Sequence, residues 1–314
     1  MVPKVIVDCD AGTDDAVALV ILIAAHKAKE LEIMGVTCVG GNTYIDNVVC
    51  NVFRTLEICG TSDIPVYKGG RTALLTTECS KKIHEDGYHG SDGLGDVFKD
   101  KPDLSKLQKE HAVIALNRIV SENPGEISLV CLAPLTNIAL AIKMFPEFGD
   151  CVKQLYVMGG NSTARGNITA QAEFNFYADP ESAHIVLGSI EKPLLLLPYE
   201  SCLSCDVTQE WRIDVLGRKD TPIVKFINAI ESGTCRRRQL SRYVSCDALL
   251  AALIVRPDMI KVQEEFHADI ELSGRHTRGQ VVLDHLQSKK PNVQLILEYN
   301  SEIFKQVLLS AVEQ

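Results

Sequence analysis

The sequence predicts an α/β fold: a single domain over residues 1–314 with a mostly parallel central sheet flanked by helices. Three observations carry that expectation. Strand-like and helix-like segments alternate from Val5 to Ala252, as in chains built from βα units, whose parallel strands need helical crossovers. Val5-Ile6-Val7 and, Ser128 apart, Ile127 to Leu132 are continuous apolar runs, the pattern of strands buried on both faces. No linker, repeat or low-complexity stretch divides the chain, so one large core is favoured over the two smaller domains that length alone would allow.

The first βα unit organises the rest. Val5-Ile6-Val7 reads as a buried strand and Ala16 to Ala25 as a buried helix, so Asp8, Asp10, Asp14 and Asp15 fall in the turn between them. Carboxylates a few ångströms apart repel and raise one another's pKa, and apolar flanks withdraw water from them. Such a cluster calls for a cation or a hydrogen-bonded polar ligand. Oxygen-only donors favour calcium or magnesium over zinc or copper. The alternative is structural: Asp14 and Asp15 cap the helix while Asp8 and Asp10 are solvated turn residues.

Leu31 to Val39 alternates into a second strand that ends at Gly40-Gly41-Asn42. Asn42 reads equally as pointing into the aspartate crevice or as capping the next helix. Ile64 to Tyr67 is a short strand, and Glu78 to Asp86 a polar surface loop. It leads to Tyr88-His89-Gly90-Ser91-Asp92-Gly93-Leu94-Gly95, which reads as a flap over a site or as a plain surface loop. His111 to Val120 has helical spacing, and Ile127 to Leu132 is a buried strand closed by Ala133-Pro134-Leu135-Thr136-Asn137.

Gln154 to Met158 is a further strand, followed by Gly159-Gly160 and a polar loop to Asn167. Glu173 and Asn175 share one side if their segment is extended, a pair suited to vicinal hydroxyls. Leu194 to Leu197 is one more strand. Parallel sheets bind ligands at the carboxyl ends of their strands, where Asp10, Asn42 and Leu132 all fall.

Thr221 to Tyr243 looks helical, with Arg236, Arg237, Arg238 and Arg242 near its end; a solvated basic face is the default and a cover for substrate the alternative. Ser245 to Ala252 opens an apolar helix with Cys246 and Asp247 at its N-terminus, where an anion and a low-pKa thiol are both favoured. His267, His276 and His285 have no acidic or cysteine partner at ligand spacing.

Composition narrows the partners. A formal charge of -9, from 32 Lys and Arg against 41 Asp and Glu, disfavours nucleic acid and suits a small-molecule substrate. No apolar run approaches the about 20 residues of a membrane span, and no signal peptide is legible, so neither a membrane nor export is expected. Eleven cysteines, several inside apolar runs, suit reduced thiols in a cytoplasmic protein. Cys202-Leu203-Ser204-Cys205 is a lone CxxC, a weak zinc or redox signal.

Taken in order, Asp8-x-Asp10-x-x-x-Asp14-Asp15, Gly41-Asn42, His89-Gly90-x-Asp92-Gly93-Leu94-Gly95, Pro134-Leu135-Thr136-Asn137, Met158-Gly159-Gly160, Glu173-Phe174-Asn175 with Asp179-Pro180, and Asp247 resemble the successive motifs of the inosine–uridine-preferring nucleoside hydrolases. The resemblance spans nearly the whole chain. It implies calcium-dependent hydrolysis of the N-glycosidic bond of a ribonucleoside by a homodimer or homotetramer. Carried over, the Ca2+ ligands are Asp10, Asp15, Asp247 and the Leu132 carbonyl, with Asp10 also the general base. Asp14, Asn42, Asn167, Glu173 and Asn175 hold the ribose, and His89 lies near the base. Where the best-studied members carry a histidine before the last calcium aspartate, this chain has Cys246, as does a further subgroup; that substitution leaves the leaving-group acid open and points weakly to purine nucleosides.

Two other readings compete. Asp8-x-Asp10 is similar to the nucleophile and acid pair of haloacid-dehalogenase-like phosphatases, although Gly12 stands where that family wants Thr or Val. A non-catalytic nucleoside-binding protein would keep the pocket, but the retained Asp10, Asp15 and Asp247 weigh against it, because buried charges are costly to keep without use.

Overall fold

Alternating strands and helices fold as the pattern predicts. The structure, a computed structural model, describes residues 2–75, 87–189, 191–238 and 241–313, without the side chains of 233–238. Its strands are β1 (Lys4–Cys9), β2 (Glu32–Cys38), β3 (Val66–Lys68), β4 (Leu107–Gln108), β5 (Ile127–Cys131), β6 (Gln154–Met158), β7 (Leu194–Leu197), β8 (Ile260–Phe266), β9 (Ala268–Ile270), β10 (Val281–Leu283) and β11 (Val293–Tyr299). Nine of them form one sheet in the order β4-β3-β2-β1-β5-β6-β7-β11-β8. Every pairing in it is parallel except that of β8 with β11, and β9 and β10 form a separate antiparallel pair.

Strand alternation divides the core. Val5, Val7 and Cys9 pack on one face against the Thr13–Lys27, Ile45–Ile58, Cys246–Val255 and Ser301–Val312 helices. Ile6 joins the other face with the Ala112–Glu122, Thr136–Met144 and Pro180–Ser189 helices. The Thr13–Lys27 helix is buried over nearly all of Thr13 to Ala25, because it lies between the sheet and an outer layer of helices. Burying each of its Leu and Ile side chains contributes roughly 1.5–3 kcal/mol, so this helix is a rigid base for the turn that precedes it.

The strand order reverses at β1, with β2 on one side and β5 on the other. A sheet opens a crevice at such a point, beyond its strand ends. The three chain exits stay together there: the Val39 N–H donates to the Cys9 carbonyl at 3.0 Å, and the Leu132 N–H to the Asp8 carbonyl at 2.9 Å. Among the described residues no helix is long and apolar enough to cross a membrane. The Glu78 to Asp86 loop lies outside the described residues, as do the side chains of Arg236, Arg237 and Arg238.

Candidate active site

Asp8 belongs to the strand and not to the turn. It shares the face of Ile6, and its Oδ1 accepts from Thr37 Oγ1 at 2.6 Å and Asn137 Nδ2 at 2.8 Å. That lock ties β1 to β2 and to the Thr136–Met144 helix. It also removes the phosphatase reading, which needs Asp8 in the crevice beside Asp10.

The turn itself delivers Asp10, Asp14 and Asp15. Ala11 sits at φ 40, a left-handed conformation that costs a non-glycine residue about 1–2 kcal/mol and reverses the chain between strand and helix. Asp10 is fully buried, and its Oδ2 and Oδ1 accept from the Asn42 backbone N–H at 2.6 Å and side-chain Nδ2 at 2.9 Å. Gly41 permits that approach, since a Cβ there would lie 2.0 Å from Asp10 Oδ2. Asn42 is therefore a crevice residue; Tyr44 stands at the N-cap position of the following helix, with no side-chain capping bond. Asp15 Oδ2 accepts from the Gly12 N–H at 2.8 Å and from Asn42 Nδ2 at 3.2 Å. The capping reading thus holds for one oxygen of Asp15.

Asp247 enters from the first turn of the Cys246–Val255 helix. Asp14, Asp15 and Asp247 each present an oxygen within 4.8 Å of the others, and Oδ1 of all three is buried with no hydrogen-bond partner. Burial and the Asp15 charge push Asp10 well above the usual carboxylate range. Burial and the Asp14 charge push Asp15 to about 7, and burial with the charges of Asp14 and Asp15 raises Asp247 well above its ordinary value. Orphaned, converging, hard oxygen donors of this kind fit a divalent cation, which would satisfy the lone pairs and relieve the repulsion. The Asp10 oxygens keep a second lone pair each beyond their bonds to Asn42.

Above the carboxylates opens a cleft of about 930 Å³, including its mouth. Asp14, Asn42, His89, Leu132, Asn167, Glu173, Asn175, Cys246 and Asp247 line it. Asp10 and Asp15 lie beneath. The wall is apolar where Met158, Ile168, Phe174, Leu203 and Val244 contribute, joined by Tyr88 and Tyr199. Tyr88, Met158 and Phe174 lie inside motifs the sequence singled out, without a role assigned to them; Ile168, Tyr199, Leu203 and Val244 gave no functional signal.

Glu173 and Asn175 do not lie on an extended segment. Glu173 caps the short Phe174–Ala178 helix, taking the Asn175 N–H at 2.9 Å on Oε1 and the Gly160 and Phe176 N–H groups at 2.7 and 3.1 Å on Oε2. Burial nonetheless lifts it to about 7 against those three bonds. Asn175 Nδ2 donates to the Leu132 carbonyl at 2.9 Å and the Met158 carbonyl at 3.2 Å, which leaves its Oδ1 for a hydroxyl donor. Asn167 Oδ1 is buried and unpartnered.

His89 Nδ1 accepts from the Thr13 N–H at 3.0 Å, with Thr13 Oγ1 at 2.8 Å. The ring proton therefore sits on Nε2, which faces Asp14 Oδ1 at 3.8 Å. Cys246 contacts the buried Cys202 thiol, and that contact and burial push its pKa well above the ordinary thiol value. It is a neutral thiol here, against the low-pKa alternative that a helix N-terminus offers. The nine described cysteines are free, so the Cys202–Cys205 pair forms no disulfide, and Cys202 packs as a core residue.

An acidic pocket at the switch point of a parallel sheet, with amide side chains on one wall and apolar ones on the other, defines an α/β enzyme for a small polyhydroxylated substrate. The sequence profile of the inosine-uridine preferring nucleoside hydrolases matches residues 5–306, and the chain belongs to that family. It is 31% identical to the inosine-uridine preferring nucleoside hydrolase of Crithidia fasciculata, over 100% of this chain and 98% of that protein. It is 32% identical to the pyrimidine-specific ribonucleoside hydrolase RihB of Escherichia coli, over 90% and 88%. The solved structure of an inosine-guanosine nucleoside hydrolase superposes with a TM-score of 0.91 at 26% identity, over 100% of this chain and 99% of that one. The family is metal-dependent, and this chain is a ribonucleoside hydrolase.

Proposed function

We propose that the cleft hydrolyses the N-glycosidic bond of purine ribonucleosides in preference to pyrimidine ones, with calcium as its cation. The observation that carries the cation is the cluster of Asp14, Asp15 and Asp247, each of which brings a carboxylate oxygen within 4.8 Å of the others and each of which keeps a buried Oδ1 without a hydrogen-bond partner. The Leu132 carbonyl, from a residue that lines the same cleft, and Asp10, which feels the charges of Asp15 and Asp14, would complete an oxygen-only shell suited to calcium. Bound there, the cation supplies a lowered pKa to water and anchorage for the ribose hydroxyls.

The chain's own residues do the rest. Asp10 accepts the proton of the attacking water: burial and Asp15 raise its proton affinity, and Asn42 fixes both oxygens in place. Asn42, Asn167, Glu173 and Asn175 orient the ribose, and Asp14 with Glu173 supplies negative charge where the sugar becomes cationic. The apolar wall receives the base, and His89 donates to it from Nε2–H. The purine preference is supported by the inosine-guanosine hydrolase among its structural relatives. Free ribose released from inosine, guanosine, adenosine, uridine and cytidine tests the reading; faster turnover of the pyrimidine pair would reverse the preference, and no ribose from any of them would refute the activity.

A further inference from the structure

Glu200 stands outside the cleft yet holds part of its wall. It follows Tyr199 in the short Tyr199–Leu203 helix, which sits firmly on the sheet: Ser201 Oγ donates to the Ile296 carbonyl at 2.6 Å, and Tyr299 donates to the Ser201 carbonyl at 3.0 Å. The Glu200 side chain reaches the loop after β6. Its Oε2 accepts from the Ser162 N–H at 2.8 Å, and its Oε1 from the Thr163 N–H at 2.8 Å, Thr163 Oγ1 at 2.9 Å and the Arg165 N–H at 3.1 Å. The residue inside this ring, Ala164, is held at φ 59. Consecutive amides turned inward about a left-handed residue form a nest for an anion, and here the anion is the chain's own carboxylate.

The far side of the same loop is fastened separately. Asn161 Nδ2 donates to the Arg165 and Gln171 carbonyls at 3.3 and 2.7 Å, and its Oδ1 accepts from the Val281 N–H at 3.1 Å. Between the two fastenings the chain turns at Gly166, where a Cβ would meet the Thr169 carbonyl at 2.0 Å, and presents Asn167 and Ile168 to the cleft. Asn167 Oδ1 arrives buried and without a partner. Burial alone would raise the Glu200 carboxyl, but the amides of Ser162, Thr163 and Arg165 outweigh it and hold the group below its ordinary range.

We propose that Glu200 is a positioning residue for nucleoside hydrolysis: its carboxylate fixes the 162–165 loop so that Asn167 meets the ribose. The inference rests on the hydrolase reading of the cleft. Charge and not shape is what the nest selects. A glutamine in its place turns one amide N–H group toward another donor, and that half of the anchor is lost.

The test combines Glu200→Gln, Asn167→Ala and their double variant with steady-state kinetics on inosine, and with amide hydrogen exchange at Ser162, Thr163 and Arg165. Glu200→Gln is expected to raise KM roughly tenfold, with a smaller fall in kcat, as for loss of a substrate-orienting contact. In the Asn167→Ala background it should have less than about a twofold further effect, because a residue acting through Asn167 is not additive with it. Exchange at the three amides should rise at least tenfold while the melting temperature stays within a few degrees. The exchange measurement stands even if the wild type releases no ribose, a result that would overturn the hydrolase reading. Unchanged exchange overturns the anchor itself. Equal losses of kcat/KM with and without Asn167, or an unchanged kcat/KM, overturn the positioning role.

Discussion

Asn42 spans the Asp10 carboxylate, giving its backbone N–H to one oxygen at 2.6 Å and its side-chain N–H to the other at 2.9 Å. The bracket fixes the plane of Asp10 directly over Gly41 and leaves each oxygen one lone pair. Asp10→Asn keeps the size but removes the charge and turns an amide donor against one of the Asn42 donors. Turnover on inosine should fall at least about a hundredfold, the scale of general base catalysis. A variant within a few fold of wild type would remove Asp10 from the proton-acceptor role.

Removing divalent cations should lower stability as well as activity, because Asp14, Asp15 and Asp247 then face one another in a buried site. Saturation at a hundred times Kd is worth about 2.7 kcal/mol, so calcium added to the chelated protein should raise the melting temperature by several degrees. Asp247→Asn makes the sharper comparison. It should raise the melting temperature of the chelated protein, by relieving repulsion, and abolish the calcium-induced rise. A calcium-induced rise as large as in wild type would place the cation elsewhere.

Thr13 bears on the role proposed for His89. The Thr13 N–H donates to His89 Nδ1 at 3.0 Å, so the contact proposed with the base is a hydrogen bond from Nε2 and not the transfer of a proton. His89→Ala should lower kcat on inosine by about tenfold, within the worth of a hydrogen bond to a developing charge, and leave p-nitrophenyl riboside nearly unaffected, since that leaving group needs no proton. A loss above a thousandfold on inosine alone would make His89 the principal acid.

Cys246 packs its thiol against Cys202 and borders the cleft. A neutral thiol is a weak donor, so Cys246→Ser and Cys246→Ala should each lower turnover on inosine by roughly tenfold or less, below the hundredfold expected of a general acid. The same p-nitrophenyl riboside control applies: a thousandfold loss confined to inosine would assign the acid to Cys246.

Glu173 gives a pH dependence with a definite sign. Burial raises its carboxyl in the folded protein from the ordinary 4.5 to about 7. The folded state therefore binds this proton more tightly than the unfolded chain does. The associated stability is fully present below the unfolded value and is lost as pH rises through the window from 4.5 to about 7. Chemical denaturation of the chelated protein at several pH values should show stability falling across that window, and Glu173→Gln should flatten the slope by about one proton. An unchanged slope in the variant would mean that Glu173 ionises normally.

Much of this was legible in the chain. The Val5 to Val7 run followed by an apolar helix fixed a β1–turn–helix unit, and the strand-end rule brought Asp10, Asn42 and Leu132 to one crevice. Strand parity should have separated Asp8, since it shares a face with Ile6 and not with Val7. The condition that would put Glu173 and Asn175 on one side, an extended segment, is not met: Glu173 caps a short helix through the local Asn175 and Phe176 amides, and only its third partner, Gly160, lies beyond the reach of a local pattern. Glu200 left no trace either: its partners lie some 35–38 positions away, and a single glutamate after a tyrosine looks like a surface residue.

The most direct measurement is ribose release from inosine by chelated protein as calcium is added back. Three orphaned carboxylate oxygens at the floor of a nucleoside cleft predict negligible release with chelator, and saturable recovery on addition of calcium with a matching rise in melting temperature. Full release in the presence of chelator, or no release at any calcium concentration, would contradict it.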